Sequence, residues 1–194
     1  MSAAAAGPAV LVSLLRLGER SAGFAFERLA RSTKIAASDP YRALLAQIAQ
    51  DERRHDCELA AVASDSIRLR MNDSSRRFFL GLHDRDIRIH LARIAALDGS
   101  VCQIVTQVLS CSLLAPQDAG LRRTLESIRH DEGRHVRIAR RAAQRYGASD
   151  ALLCEIDHQT RNAFCAVLAP HAEDFHALGI DPPRLLNRLL RATP

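Results

Sequence analysis

The chain has 194 residues, 47% of them hydrophobic, which fits one domain with a sizeable core and argues against a disordered protein. Aromatic residues make up only 4% and Trp is absent, so a core of Ala, Leu, Ile and Val favours helices over a β-sandwich or barrel. The formal net charge is +5, but no aromatic residues are interleaved with the basic ones, so no nucleic-acid signature is present.

The cysteines and the N-terminus indicate the compartment. Five cysteines, an odd number without a Cys-x-x-Cys motif, favour a reducing compartment over a disulfide framework. No basic residues precede the N-terminal apolar stretch, which runs into Arg16, Glu19 and Arg20. Neither a signal peptide nor a membrane span is therefore predicted, and we expect a cytoplasmic protein.

The sequence predicts an all-α protein of four long helices with a helical cap. The predicted bounds are helix A at 8–31, helix B at 40–63, helix C at 76–114 and helix D at 121–146. Asp39-Pro40 supplies an N-cap and first turn for helix B, and Gly147 is a stop for helix D.

The connections between these helices predict their topology. The A–B and C–D connections are short, whereas the B–C connection is long and polar, which predicts a four-helix bundle with a single crossover over residues 1–147. Residues 148–194 are predicted to be a C-terminal helical extension packed on the bundle in the same domain. It would contain a helix at 150–168 and a shorter one beginning at Asp181-Pro182.

Two pentapeptides share the pattern Asp-Glu-x-Arg-His, at an offset of 80 residues. The first pentapeptide is Asp51-Glu52-Arg53-Arg54-His55 in helix B, and the second is Asp131-Glu132-Gly133-Arg134-His135 in helix D. Glu and His at positions i and i+3 lie on the same face of a helix. Two such pairs predict the two halves of a dinuclear metal site in a helical bundle.

Hairpin geometry locates the carboxylates that helices A and C would add. The two turns centre near residues 36 and 116, so the positions level with Glu52 and Glu132 lie near residues 20 and 100. Glu19 and Asp98 are the carboxylates at these levels, each on an otherwise apolar stripe. Glu27 shares its stripe with basic residues and is predicted to face solvent.

The candidate metal ligands are four carboxylates and two imidazoles: Glu19, Glu52, His55, Asp98, Glu132 and His135. Two divalent cations would neutralise four carboxylates that would otherwise repel one another, and mixed oxygen and nitrogen ligands suit Fe or Mn. Asp51 and Asp131 are candidates to accept the second N–H of the histidines, each from the opposite pentapeptide in one arrangement. Arg54 and Arg134 could pair with these aspartates.

Several of these residues have other interpretations. Glu19 could be a salt-bridged surface residue, and Asp98 beside Gly99 could mark a helix kink. Cys102, one turn beyond Asp98, either lies near the site or is a small core residue.

Residues 8–146 resemble the ferritin-like superfamily of di-iron carboxylate proteins. The paired motif is similar to that of the catalytic subunits of bacterial multicomponent monooxygenases, while chain size and helix order are nearer to the tRNA-hydroxylase and rubrerythrin-like branches. The resemblance implies two Fe ions, with Mn or mixed Fe/Mn as alternatives, bound by the same six residues, with Glu52 and Glu132 as catalytic residues and O₂ as co-substrate. Family members usually carry Glu where this chain has Asp98, so bridging by Asp98 stays open.

The resulting hypothesis is an O₂-activating non-haem di-iron oxidase or monooxygenase. It would act on a small organic substrate or a carrier-bound intermediate, take electrons from an external donor and form a homodimer. A tRNA substrate has no supporting sequence feature. The alternatives are a rubrerythrin-like peroxidase, an iron-handling ferritin-like protein and a metal-free interaction module. The second Glu-x-x-His favours catalysis over iron storage, and the sequence does not identify the substrate.

Overall fold

The structure is a computed structural model that describes residues 3–62, 73–111 and 119–191, and within these ranges it is helical without a strand. The elements in chain order are α1 (Ala3–Ala30), α2 (Pro40–Val62), α3 (Asp73–Gly81), α4 (Ile87–Ser110), α5 (Ala119–Arg145), α6 (Asp150–Leu168), a 3-10 turn (Ala169–His171), α7 (Ala172–Ala177) and α8 (Pro182–Arg191). The predicted all-α class is confirmed.

Most helix ends lie close to the predicted positions. Helix α2 begins at Pro40, α6 spans the predicted range, and Gly147 follows α5 with a φ of 95°, a left-handed conformation that glycine adopts without strain. Helix α1 begins at Ala3, earlier than predicted, and contains Pro8 near its start. The predicted ends of helices B and C, at residues 63 and 114, lie outside the described residues.

Helix C does not begin near residue 76 as predicted. A short helix, α3, ends at Gly81, and α4 begins at Ile87. The Asp86 side chain accepts a hydrogen bond from the Arg88 N–H as the N-cap of α4, and the Asp84 side chain accepts one from the Asp86 N–H. Aspartate side chains compete with the helical backbone for its N–H groups, which explains the interruption.

Four helices pack around one interior. Helix α1 packs on α2, α4 on α5, α2 on α5 and α1 on α4. Contacts run in opposite order along α1 and α2, where Arg16 meets Asp56 and Glu27 meets Arg53. The α2–α5 and α4–α5 contacts are also antiparallel. Helices α2 and α4 therefore run in the same direction. The end of α2 and the start of α4 lie at opposite ends of the four helices.

The interior contains two apolar clusters, separated by a polar layer. One cluster includes Leu15, Leu59, Val101 and Ile128, and the other includes Ala22, Ile48, Ala95 and Ala139. The four long helices thus each pass from one apolar cluster through the polar layer to the other. The layer contains the six candidate ligands.

The C-terminal helices lie on the outside of these four. Helix α6 packs on α4, α7 on α1, and α8 on α6 and α4. Within α6, Arg161 and Asp157 form a buried ion pair with a shortest distance of 2.6 Å. None of the helices in the described ranges combines the length and apolar composition that a membrane crossing requires.

Candidate metal centre

The six candidate ligands come together from four helices. Glu19 is on α1, Glu52 and His55 on α2, Asp98 on α4, and Glu132 and His135 on α5. Each is at most 2% exposed. Because α1–α2 and α4–α5 are antiparallel hairpins with apolar residues above and below, their polar positions meet at one level.

The six residues form two groups that share two glutamates. In one group, donor atoms of Glu19, Glu52, His55 and Glu132 lie within 4.8 Å of one another. In the other, donor atoms of Glu52, Asp98, Glu132 and His135 do the same. Each group therefore has one histidine, one carboxylate of its own and the shared pair Glu52 and Glu132. This geometry could hold two ions side by side.

Many of the oxygen and nitrogen atoms in the layer that could bind a metal lack a hydrogen-bond partner among the described residues. The unpaired buried atoms are Glu19 Oε1, both Glu52 oxygens, Asp98 Oδ2, Glu132 Oε2 and His135 Nδ1. His135 Nδ1 lies 2.8 Å from Glu52 Oε1, without the angle that a hydrogen bond requires. Buried polar atoms are normally paired, so such a concentration fits a site built for cations.

The histidines contact the opposite pentapeptide on the outer side of the layer. His55 Nε2 lies 3.2 Å from Asp131 Oδ2, and His135 Nε2 lies 3.5 Å from Asp51 Oδ2. With Nε2 facing an aspartate, each imidazole presents Nδ1 to the interior, where His55 Nδ1 lies 3.0 Å from Glu19 Oε2.

Two arginines complete this outer layer. Arg54 donates to Asp131 at 2.6 Å, and Arg134 donates to Asp51 at 2.6 Å. Each aspartate therefore contacts a histidine and an arginine from the other helix. The positive charges of the arginines keep both aspartates ionised, and the aspartates in turn fix the orientation of the two histidine rings.

Three carboxylates of the layer, those of Glu52, Asp98 and Glu132, are destabilised as anions. Burial raises the pKa of Glu52 well above its usual value, and the charges of Glu132, Glu19 and Asp98 raise it further. Burial and Glu19 do the same for Asp98. Burial and the charges of Asp98 and Glu19 raise the pKa of Glu132. Without a cation, these three carboxyl groups therefore retain protons to a higher pH than usual.

The two histidines differ in the metal-free protein. Burial opposes protonation of His55, but its contacts with Glu19 and Asp131 outweigh burial and raise its pKa. Burial and the neighbouring charges of His55 and Arg134 lower the pKa of His135 to about 4. Burial disfavours the charged form of Asp131, yet the hydrogen bonds from His55 and Arg54 lower its pKa to about 2.

Residues near the layer also have defined positions. Glu27 lies outside it, in ion pairs with Arg31 and Arg53. The Cys102 thiol lies 3.8 Å from the carbonyl oxygen of Arg129, which precedes Glu132 by almost one turn.

Gln103, which was not among the residues predicted from the sequence, has an Oε1 that is buried without a partner among the described residues. The signal was present: polar pairs at 102–103 and 106–107 recur four residues apart in the otherwise apolar stretch 101–109. The contact between His83 Nδ1 and His90 Nε2, which lie 3.3 Å apart, was not predicted from the sequence either.

Comparison with protein-family models, with curated proteins and with solved structures finds no significant match to this chain.

Proposed function

We propose that this chain is a ferritin-like di-iron protein that activates O₂ and oxidises a small organic substrate, as an oxidase or monooxygenase. The observation that supports it is the pair of four-residue groups sharing Glu52 and Glu132. One carboxylate from each of two helices and a Glu-x-x-His from each of two others is the donor set of carboxylate-bridged dimetal bundles.

The charge and chemistry of the donors fit two divalent cations. Four buried carboxylates at one level are balanced by two such ions, and two imidazoles complete the set. The unpaired oxygens of Glu19, Glu52, Asp98 and Glu132 are available to cations without breaking hydrogen bonds among the described residues. Oxygen and nitrogen donors suit both iron and manganese, and the resemblance to di-iron proteins favours iron.

Each residue of the layer has a role in this proposal. Glu52 and Glu132, the members common to both groups, would help to hold both ions, while Glu19 and Asp98 would each help to hold one. His55 and His135 would bind through Nδ1, because Asp131 and Asp51 hold the Nε2–H on the opposite side of each ring. The flanking apolar clusters exclude water from the layer.

The bound iron pair would supply the redox chemistry that O₂ activation needs. The sequence has no Cys-x-x-Cys motif that would hold a second redox centre, so the proposal includes an external electron donor. It also includes a homodimer in the cytoplasm.

Metal analysis after anaerobic loading with Fe(II) tests the proposal. We expect about two ions per chain, followed by O₂ consumption when air is admitted. Glu132→Ala should lose most of the metal, because Glu132 belongs to both groups. Glu27→Ala should retain it, because Glu27 pairs with Arg31 and Arg53 outside the layer.

Fewer than one ion per chain would refute the dinuclear proposal. Equal metal loss in the two variants would refute the assignment of the layer. A loaded protein that consumes hydrogen peroxide but not O₂ would instead be the rubrerythrin-like peroxidase, and one that accumulates many irons in a shell would be the iron-handling protein.

A further inference from the structure

A cavity of about 330 Å³ lies between α4 and α8. Its lining consists of Cys102, Gln103, Thr106 and Gln107 from α4, and Leu185 and Arg188 from α8. The α4 residues are two pairs one helical turn apart, so a single face of α4 forms one wall. The volume is at the lower end of the roughly 300–1,000 Å³ typical of small-molecule sites.

The Cys102 end of this cavity adjoins the candidate metal centre. Cys102 follows Asp98 by four residues of α4, about 6 Å along the helix. Its thiol lies 3.8 Å from the carbonyl oxygen of Arg129, just before Glu132 on α5. A molecule in the cavity would therefore reach within one turn of two carboxylates of the layer.

One residue of the cavity wall has a buried acceptor atom without a donor. Gln103 Oε1 is shielded from solvent and receives no hydrogen bond from any described residue. Leaving a buried carbonyl oxygen unpaired is costly, so turning the Gln103 side chain toward a ligand N–H or O–H group in the cavity would be favourable. Leu185, by contrast, offers an apolar surface on the opposite wall.

The α8 side of the cavity is positively charged. Arg188 is exposed and makes no ion pair within the described ranges. Arg184 and Arg191 lie on the same face of α8, without a carboxylate salt-bridge partner in that part of the chain. A guanidinium group fits the two oxygens of a carboxylate or phosphate, and three neighbouring positive charges attract anions.

We propose that this cavity is the substrate site of the metal centre and that it takes a small organic anion. The anionic group pairs with Arg188, the apolar body lies against Leu185, and the end to be oxidised lies beside Cys102. This assignment rests on the proposed function and adds to it the charge of the substrate and the direction from which it reaches the centre.

Alkylation of Cys102 in the full-length protein tests the charge preference without an activity measurement. The Cys102 thiolate displaces iodide from anionic iodoacetate or from neutral iodoacetamide, and peptide mass spectrometry gives the rate at each cysteine. Arg188→Gln should lower the ratio of the iodoacetate rate to the iodoacetamide rate at Cys102 by about tenfold. Arg184→Gln removes the same charge from α8 outside this cavity and should lower the ratio much less.

Protection by ligands separates the kinds of anion. Hexanoate and hexyl phosphate should each slow the reaction of Cys102 with iodoacetamide, and hexan-1-ol should slow it less. In Arg188→Gln, the anions should protect Cys102 no better than the alcohol does. Whichever anion protects better identifies the preferred group. Equal protection by the alcohol, or an equal change in the two arginine variants, would overturn the proposal. The rates at the exposed residues Cys57 and Cys154 serve as internal standards for the reactivity of each reagent in each sample.

Metal analysis of the same samples separates this inference from the proposed function. About two ions per chain without a preference that depends on Arg188 would overturn the substrate site alone. A preference that depends on Arg188, in a protein that binds no metal, would overturn the proposed function and leave only an anion-binding cavity.

Discussion

Asp51 and Asp131 each connect a histidine and an arginine of the opposite pentapeptide. Asp131 lies 3.2 Å from His55 Nε2, and Arg54 holds it in place. Removing the negative charge of Asp131 would weaken its contact with the His55 ring and make His55 Nδ1 a poorer metal ligand. The strength of metal binding by His55 should thus depend on a residue outside the layer.

We expect Asp131→Asn to weaken metal binding by about 10- to 100-fold, because outer partners of metal-binding histidines have effects of this size. Competition with a chelator of known affinity measures the change. Asp174→Asn is the matched control, since Asp174 also lies beside a histidine, His171 at 3.4 Å, but on α7 outside the layer. Similar losses in both variants would contradict the role of Asp131.

Helices α1 and α2 approach closely beside the layer because α1 has a glycine there. A Cβ atom added at Gly23 would lie 3.3 Å from the Glu52 Cβ, which belongs to the stem of a shared ligand. At Gly18, one turn and a half earlier, the nearest atom would be Val101 Cγ2 at 3.9 Å, an ordinary contact. The two glycines therefore differ in what a methyl group would displace.

Gly23→Ala is expected to lower metal affinity, because α2 must shift by a few tenths of an ångström and Glu52 moves with it. Gly18→Ala should leave metal affinity unchanged and stabilise the protein by up to about 1 kcal/mol, the difference in helix propensity. Chelator competition and urea unfolding measure the two effects. Unchanged affinity in Gly23→Ala would show that the contact is not tight.

The elements show what the sequence predicts and what it does not. Helical periodicity and Pro40 located α2, and antiparallel hairpin geometry placed Glu19 and Asp98 level with the pentapeptides, because short turns fix the register of neighbouring helices. The break before α4 was missed, since it depends on Asp84 and Asp86 capping the backbone. The cavity beside α8 was not predictable, because it forms only where distant segments pack together.

The whole molecule stores protons in its interior when it holds no metal. Three carboxyl groups, Glu52, Asp98 and Glu132, have pKa values raised well above normal, chiefly by burial. The pKa of His55 is also raised above 6.5, since its contact with Glu19 outweighs burial. The unfolded chain, with normal pKa values, would release these protons at lower pH.

We therefore expect the metal-free protein to lose stability as the pH rises above 6.5, because the folded state binds more protons than the unfolded state there. Between about pH 4 and 6.5, His135 and His90 have the opposite effect on stability. Burial lowers the pKa of each to about 4, so in this range these two histidines are protonated only in the unfolded chain. Urea unfolding at several pH values above 6.5 measures the decline. A free energy of unfolding that rises with pH in this range would contradict the expectation.

Fe(II) or Mn(II) should replace the stored protons and stabilise the fold. Ions compete with protons for the same atoms, so the rise in the unfolding midpoint on adding metal should grow with pH. Thermal unfolding with and without metal at matched pH measures this difference. A rise independent of pH would place the ions outside the layer.

The two halves of the layer are nearly equivalent, since exchanging α1 and α2 for α4 and α5 exchanges one pentapeptide for the other. Glu19 and Asp98 break this pseudosymmetry, because their side chains differ by one methylene group. Two cations in the layer would have unequal ligand reach, so the positions would fill in a set order. In a mixed iron–manganese pair, each metal would then have its own position, one beside α1 and the other beside α4.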